Sequence, residues 1–488
     1  MKANQIIKQW CFLLLLSFFI ACDDDDSEPA PVYTLEAVAS ATPTEVAVGE
    51  TVQLNGASSK DPGQIGYTSL WTVTAKPNGS TASIQNASAA NASFVPDMAG
   101  AYELTLTISN ADKNVSSTAK VNITATASLV VLSENITADL VLENIFTDPD
   151  VPDYLVTAFI EVRAKLTIRP GVVIHFERNA GLHITETGTL VANGTEAEKI
   201  IFTGENEEQG YWLGIRTRSE TANNSISHAE IHYAGSMNAG TFLQKAALSP
   251  EYTTISLDNI LITNSGGYGI QTREEESILN LSNITFEDNA GSPLYIHPEQ
   301  IAFIDEDSDF GGGYVEVYTG STRNTGAAMN WVNPKNGKYL ISADLTVNRA
   351  VSIAPGTVFE AADGVLITIS DHAESRIVAS GTADNPIVFT SKTKEQGAWR
   401  GILVNSSADQ NLMEYVTIEN GGSSRQATFV EPANLGIGWV TKLTLNNVHI
   451  ANSAGYGIYV RDNPSDIVLT MNGVTYDSNA LNDFKVEE

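Results

Sequence analysis

Cysteine is nearly absent. Cys11 and Cys22 are the only two in 488 residues, so no framework of internal disulfides can staple the fold, and its stability has to come from apolar burial. Cations are scarce too. Lys and Arg number 27 against 58 Asp and Glu, a formal charge of −31, and such a field repels nucleic-acid phosphates and anionic lipid headgroups. The longest apolar run, Trp10 to Ile20, is too short to span a bilayer. Nowhere is there a stretch of helical period long enough to carry the crossovers of an α/β sheet. What remains is an all-β chain, too long for one ordinary core.

The first residues carry Lys2, Lys8 and then that apolar run, the layout of a secretory leader. The next stretch, "FFIACDDDDSEP", resembles a bacterial lipobox. The resemblance implies cleavage after Ala21 (leader 1–21), lipidation of Cys22, and an acidic linker over 22–33. Loss of the leader's two lysines takes the charge to −33. Asp23 to Asp26, directly behind the lipidated position, resemble the surface-export signal of some Gram-negative lipoproteins. That implies an outer-membrane anchor with the chain displayed on the cell surface, the alternative being retention on the periplasmic side.

Over 34–127 short alternating segments such as "TEVAVGETVQLNG" and "AGAYELTLTISN" are separated by turn residues, which predicts a β-sandwich of about seven strands. Val52, Leu54, the Asp61-Pro62-Gly63 turn, Trp71, "SFVPDMAGAY" and Leu104-Leu106-Ile108 resemble a PKD-like or REJ-like immunoglobulin-type domain. Trp71 is expected in the core between the sheets, with Leu70 and Val73 in the same buried strand, rather than as a sugar platform.

The remainder is written twice, as 128–302 and 303–488. "FTGENEEQGYWLGI" from Phe202 returns as "FTSKTKEQGAWRGI" from Phe389, "LTIRPG" from Leu166 as "VSIAPG" from Val351, and "LDNILITNSGGYGI" from Leu257 as "LNNVHIANSAGYGI" from Leu445. Short strands at a spacing of roughly 20 to 25 residues predict a solenoid. The pattern resembles a right-handed parallel β-helix of the pectate-lyase-like superfamily. The residues common to both copies are apolar or turn-forming: Pro170 and Pro355, Gly210 and Gly397, Trp212 and Trp399, Gly269 and Gly457. They describe a scaffold rather than a catalytic constellation.

Chemistry is therefore sought where the copies differ. In "SISHAEIHYAG" alternation puts His228, Glu230 and His232 together on the outer face, where they can chelate Zn²⁺ or Ni²⁺ or stand as a solvated strand. In "DEDSDFGGGYVE", Asp305, Asp307, Asp309 and Glu316 occupy EF-hand-like positions. Phe310 replaces the required glycine there, so a plain acidic turn joining the halves is the other reading. In "EVRAKLTIRPG", Arg163, Lys165 and Arg169 make an outward basic stripe, which can meet an acidic glycan or be ordinary surface. No cofactor is called for. The chain reads as a non-catalytic adhesion or glycan-binding lipoprotein, partnered by an extracellular glycan or surface protein and by no nucleic acid. The alternative is a β-helix polysaccharide lyase or glycoside hydrolase acting on acidic glycans, a class that the superfamily includes.

Overall fold

A computed structural model describes residues 32–487, apart from 147, 222, 239, 241–242, 273–276, 319, 324–326, 428–429 and 462–465. Cys11, Cys22 and the four aspartates lie outside the described residues. The chain divides after Thr126 into two compact units.

The first unit is a sandwich of two four-stranded sheets. Ser40–Thr42, Val52–Asn55, Asn91–Phe94 and Ile84–Gln85 form one, and Glu45–Ala47, Val115–Thr126, Gly100–Asn110 and Thr68–Ala75 the other. Alternation dictates which side chains enter: Val52 and Leu54 are buried while Gln53 and Asn55 are exposed. Trp71 is only 2% exposed and packs in this core, its indole N–H directed at the Ala90 carbonyl (3.4 Å). Leu70 is not in the core. It is 50% exposed, as the neighbour of an inward-facing tryptophan on a strand must be. The Tyr102 hydroxyl donates to the Met98 carbonyl (2.9 Å), and the Asp97 carboxylate accepts from Ser80 (2.5 Å) and from the Thr81 amide (2.6 Å). Burial pushes the Asp97 carboxyl up, but these donors outweigh it and hold the group well below the usual carboxylate range.

The second unit is a parallel β-helix. Each coil contributes three strands, as in Val173–Phe176, Gly181–Ile184 and Thr189–Asn193, and each strand pairs in parallel with its counterpart one coil on. Every second residue enters the interior, so identical positions pile into columns. One column runs Tyr154, Ile174, Phe202, Ile231, Ile262, Phe286. Its copy runs Tyr339, Phe359, Phe389, Ile418, Ile450, Tyr476. The coils advance by 20, 28, 29, 31 and 24 residues in the first copy and by 20, 30, 29, 32 and 26 in the second. The longer coils exceed the spacing expected from sequence because loops such as 205–213 and 392–400 bulge from the corners between strands.

Within the second column Tyr339, Phe359 and Phe389 stack at centroid separations of 5.0 and 4.8 Å. Burial of each such side chain is worth about 1.5–3 kcal/mol. Trp212 and Trp399 are wholly buried, and their indole N–H groups donate to the carbonyls of His232 (2.7 Å) and Glu419 (2.8 Å). The shared glycines are equally structural. Gly210 and Gly397 take φ of +70° and +71°, which favours glycine, and a Cβ on Gly269 or Gly457 would strike the carbonyl of Pro293 or Asp483.

The copies do not continue each other face to face. The middle strands of the first copy (Gly181–Ile184, Gly214–Thr217, Leu294–Ile296 among them) lead through Tyr314–Val317 into the leading strands of the second (Lys338–Ile341, Val358–Ala361, Ile387–Ser391), all in one thirteen-stranded sheet. Tyr154-Leu155-Val156, the sequence counterpart of Tyr339-Leu340-Ile341, lies instead in the ten-stranded sheet. The second copy thus enters the solenoid one face further round, and equivalent outer surfaces point in different directions.

Candidate functional site

The three constellations read from sequence do not assemble as expected. Among the described residues, no group of three or more His, Cys, Asp or Glu side chains is placed to hold a metal ion. His228 leaves its set because the strand turns a corner there: its φ is +45°, Ser225–Ser227 pair with one neighbouring strand, and Ala229–Ile231 pair with another. In the next two coils the corner is occupied by Asn259 and Asn283, with φ of +52° and +54°, so His228 stands in a structural asparagine position. Glu230 and His232 do meet, at 3.0 Å, but the carboxylate also takes Lys199 at 2.9 Å.

The acidic turn is a rung of the solenoid. Asp309 bridges Thr285 and Lys335 in the ladder, its carboxylate accepts from the Gly311 amide (3.0 Å) and Asn336 (2.8 Å), and Phe310 continues the inner stack on Phe286 (5.6 Å). Asp305 is spent on the amides of Asn283 (2.7 Å) and Ser308 (3.1 Å), Asp307 offers its carbonyl rather than its carboxylate to Lys335 (3.5 Å), and Glu316 accepts from Ser292 (2.9 Å). The carboxylates of Asp305, Asp309 and Glu316 are thus tied to separate turn and ladder donors and are not gathered for one Ca²⁺.

The basic stripe is broken as well. Only Lys165–Ile168 is strand, Arg163 falls in the corner before it, and Ala164 is only partly buried. Arg163 pairs with Glu161 (2.5 Å) and Arg169 faces Glu143 (3.7 Å), which leaves no even row of free cations.

A concave surface lies elsewhere, over the ten-stranded sheet of the first copy. Three adjoining clefts of about 310, 360 and 490 Å³ share lining residues Glu196, Lys199, Pro149 and Ile201. The largest is lined by Pro149, Asp150, Glu205, Glu207 and Tyr233, with His175, Thr203 and His232 on its floor. Register explains the floor: His175 pairs with Thr203, and Phe202 with Ile231, so Thr203 stands beside His232 in the next coil. One wall is pinned by Asp153, whose fully buried carboxylate accepts from the amides of Ile145, Phe146 and Val173, each at 2.7 Å. Burial pushes that carboxyl up, against these bonds.

On the floor, burial lowers His175, partly countered by Glu205. His232, Lys199 and the surrounding charges hold the Glu230 carboxyl down to about 2, against the cost of burial. Asp150, Glu205 and Glu207 form no ion pair among the described residues, whereas the adjacent Glu208 is taken by Arg178.

The second copy fills the same place. Glu360 occupies the position of His175, while Lys392 and Lys394 stand where the first copy has Glu205 and Glu207. The Lys394 ammonium reaches Glu360 (2.9 Å), Lys338 joins from the preceding coil (3.1 Å) and the Tyr314 hydroxyl donates to it (2.7 Å). The Glu360 side chain is 3% exposed. Burial alone would raise its carboxyl, but these donors leave it lowered. A carboxylate beside lysines is thus present, buried and already hydrogen-bonded by the protein's own groups. The first copy also has a longer connection before its leading strand, from Leu142 to Tyr154, than the second has from Trp331 to Lys338. This extra chain is the Pro149–Asp150 wall.

Of the cleft lining, the sequence candidates include His228, Glu230 and His232, read there as metal ligands, whereas Asp150, Glu205 and Glu207 are not among them. The signal lies inside the repeated segment, where Glu205 and Glu207 in "GENEEQG" stand against Lys392 and Lys394 in "SKTKEQG", an inversion of charge.

Comparison with known proteins agrees with the architecture. Residues 41–125 match a PKD domain family, and residues 327–429 match the pectate-lyase like beta helix domain family. The chain therefore carries a PKD-like sandwich and a pectate-lyase-like β-helix, modules that go with a carbohydrate- or surface-related role. No curated protein matches the chain. Among solved structures, a nucleoside hydrolase-related hypothetical protein from Saccharophagus degradans, described as associated with carbohydrate metabolism, aligns with 19% of this chain at 23% identity and a TM-score of 0.18. The chain spans about a quarter of that protein's length. The PKD domain of the KIAA 1837 protein aligns with 18% of this chain at 27% identity, over 85% of its own length, with a TM-score of 0.16.

Proposed function

We propose that the protein is a non-catalytic glycan-binding lipoprotein of the outer-membrane surface, with the outer groove of the first β-helix copy as its binding face. The observation that carries this reading is the run of three adjoining clefts along one sheet, lined by hydrogen-bonding side chains (His175, Thr203, His232, Asn259). A polymer can lie across successive coils there, with each coil offering polar contacts to one stretch of it. The anchor and the surface display rest on the "FFIACDDDDSEP" segment.

The rival reading, a lyase or hydrolase of acidic glycans, sits poorly with the rim. Asp150, Glu196, Glu198, Glu205, Glu207 and Glu230 line the three clefts against Lys199 as the single lysine or arginine, and that field repels a polyuronate.

Affinity-gel electrophoresis of the Cys22→Ser chain in neutral, amino and acidic polysaccharides tests the reading, with Thr203→Trp as a plug in the groove floor. Retardation by at least one glycan, abolished by the plug, is expected. Equal retardation of both proteins, or none by any glycan, overturns it.

A further inference from the structure

The groove's contents are written in the difference between the copies. In the second copy, a carboxylate at the floor position, Glu360, is met by the primary ammonium groups of Lys394 and Lys338 at 2.9 and 3.1 Å. At the position of Lys394 the first copy places Glu207, at that of Lys392 it places Glu205, and at that of Lys338 it places Asp153, which is turned into the wall. The inserted wall adds Asp150 to the lining. The same frame that closes on the protein's own ammonium groups in one copy is thus held open at about 490 Å³ in the other, with Asp150, Glu205 and Glu207 in its lining and none of the three ion-paired among the described residues.

From this we infer that the first-copy cleft takes a ligand bearing its own ammonium groups, namely a glycan containing deacetylated amino sugars. The inference rests on the glycan-binding reading above and narrows its substrate class. A chain of amino-sugar units supplies ammonium groups to the acidic lining of Asp150, Glu205 and Glu207, hydroxyls for Thr203 and His232, and an apolar ring face for Tyr233 or Pro149. A lysine-rich peptide supplies the same charge. It lacks the hydroxyls that the hydrogen-bonding floor is built to meet, and the clefts continue along the solenoid with Asn259, Asn283 and Thr285, a polar lining suited to a polyhydroxylated chain.

The test uses the Cys22→Ser chain and its Glu205→Lys/Glu207→Lys variant, which installs lysines that the second copy carries at the equivalent positions. Titration calorimetry is run with glucosamine hexamer, N-acetylglucosamine hexamer and hexalysine at low and high salt. Binding of the glucosamine hexamer at least about tenfold tighter than its acetylated form is expected, weakening with salt and falling at least about tenfold in the variant. Equal binding of the two hexamers, unchanged in the variant, overturns the ammonium inference while leaving the glycan groove standing. Binding of hexalysine in preference to both overturns it in favour of a protein partner. Binding of none of the three, together with no retardation in any polysaccharide gel, overturns the inference and the glycan-binding reading together.

Discussion

The ammonium of Lys394 lies 2.9 Å from the carboxylate of Glu360, and at the same two places in the first copy stand Glu207 and His175. A duplicated scaffold closes a loop-to-floor ion pair in the second copy and leaves an open cleft at the same place in the first. Glu360→Ala should cost about 1–3 kcal/mol, because Tyr314 and two lysines lose a buried acceptor. Both lysines are about half exposed and can turn to water, which keeps the loss below that of a wholly buried pair. Urea unfolding of the folded chain measures it, and Glu360→Gln should lose less.

Trp399→Ala and Trp212→Ala should each cost about 3–5 kcal/mol, the range for removing a large core side chain. Stacked coils share interfaces, so the loss spreads along the helix. Each variant also leaves a buried carbonyl, that of Glu419 or His232, without its indole donor. Calorimetric unfolding showing a loss under about 1 kcal/mol would place that indole outside the core.

Acid should weaken the first copy through Glu230. Its carboxyl is lowered from 4.5 to about 2 in the folded chain. A group with a depressed folded value contributes stability above its unfolded value and loses it as pH falls toward the folded one. The contribution is therefore full above about pH 5 and disappears between there and pH 2. Glu230→Gln should flatten this part of the stability–pH curve, measured by urea midpoints from pH 6 to 2.5, and leave the curve above pH 6 parallel to that of the parent.

Cys22→Ser should release the protein from membranes with both folded units intact, since the lipid attaches outside either core. Deleting Asp23 to Asp26 should keep the anchor and lose surface exposure. Membrane fractionation and protease shaving of whole cells report the two effects separately.

Much of the architecture is legible in the chain. Alternation in Val52–Asn55 and the recurrence of "FTxxxxEQGxWxGI" identify sandwich and solenoid, because burial on one side of a strand leaves a period of two and stacking leaves a repeat. Two features escape that logic. The rotation of the second copy by one face arises in the junction coil, where Asp309 and Phe310 look like a loop motif but serve as a ladder rung and an inner ring. The cleft gathers Asp150, His175, Glu207 and Tyr233 from four successive coils, so no local spacing marks it. His228 shows the converse: a left-handed corner residue is invisible to a period-two reading and takes its neighbours out of phase.

The two copies of one loop in a single molecule provide the most direct test of the claim that the first copy binds and the second only builds. Hydrogen exchange of the Cys22→Ser chain is measured with and without glucosamine hexamer, comparing peptides over 205–211 with those over 392–398. Slowed exchange is expected at 205–211 and in the 148–153 wall, with 392–398 unchanged. Equal slowing in both loops, slowing confined to 392–398 or to the corner at Arg163, or no change anywhere would contradict it.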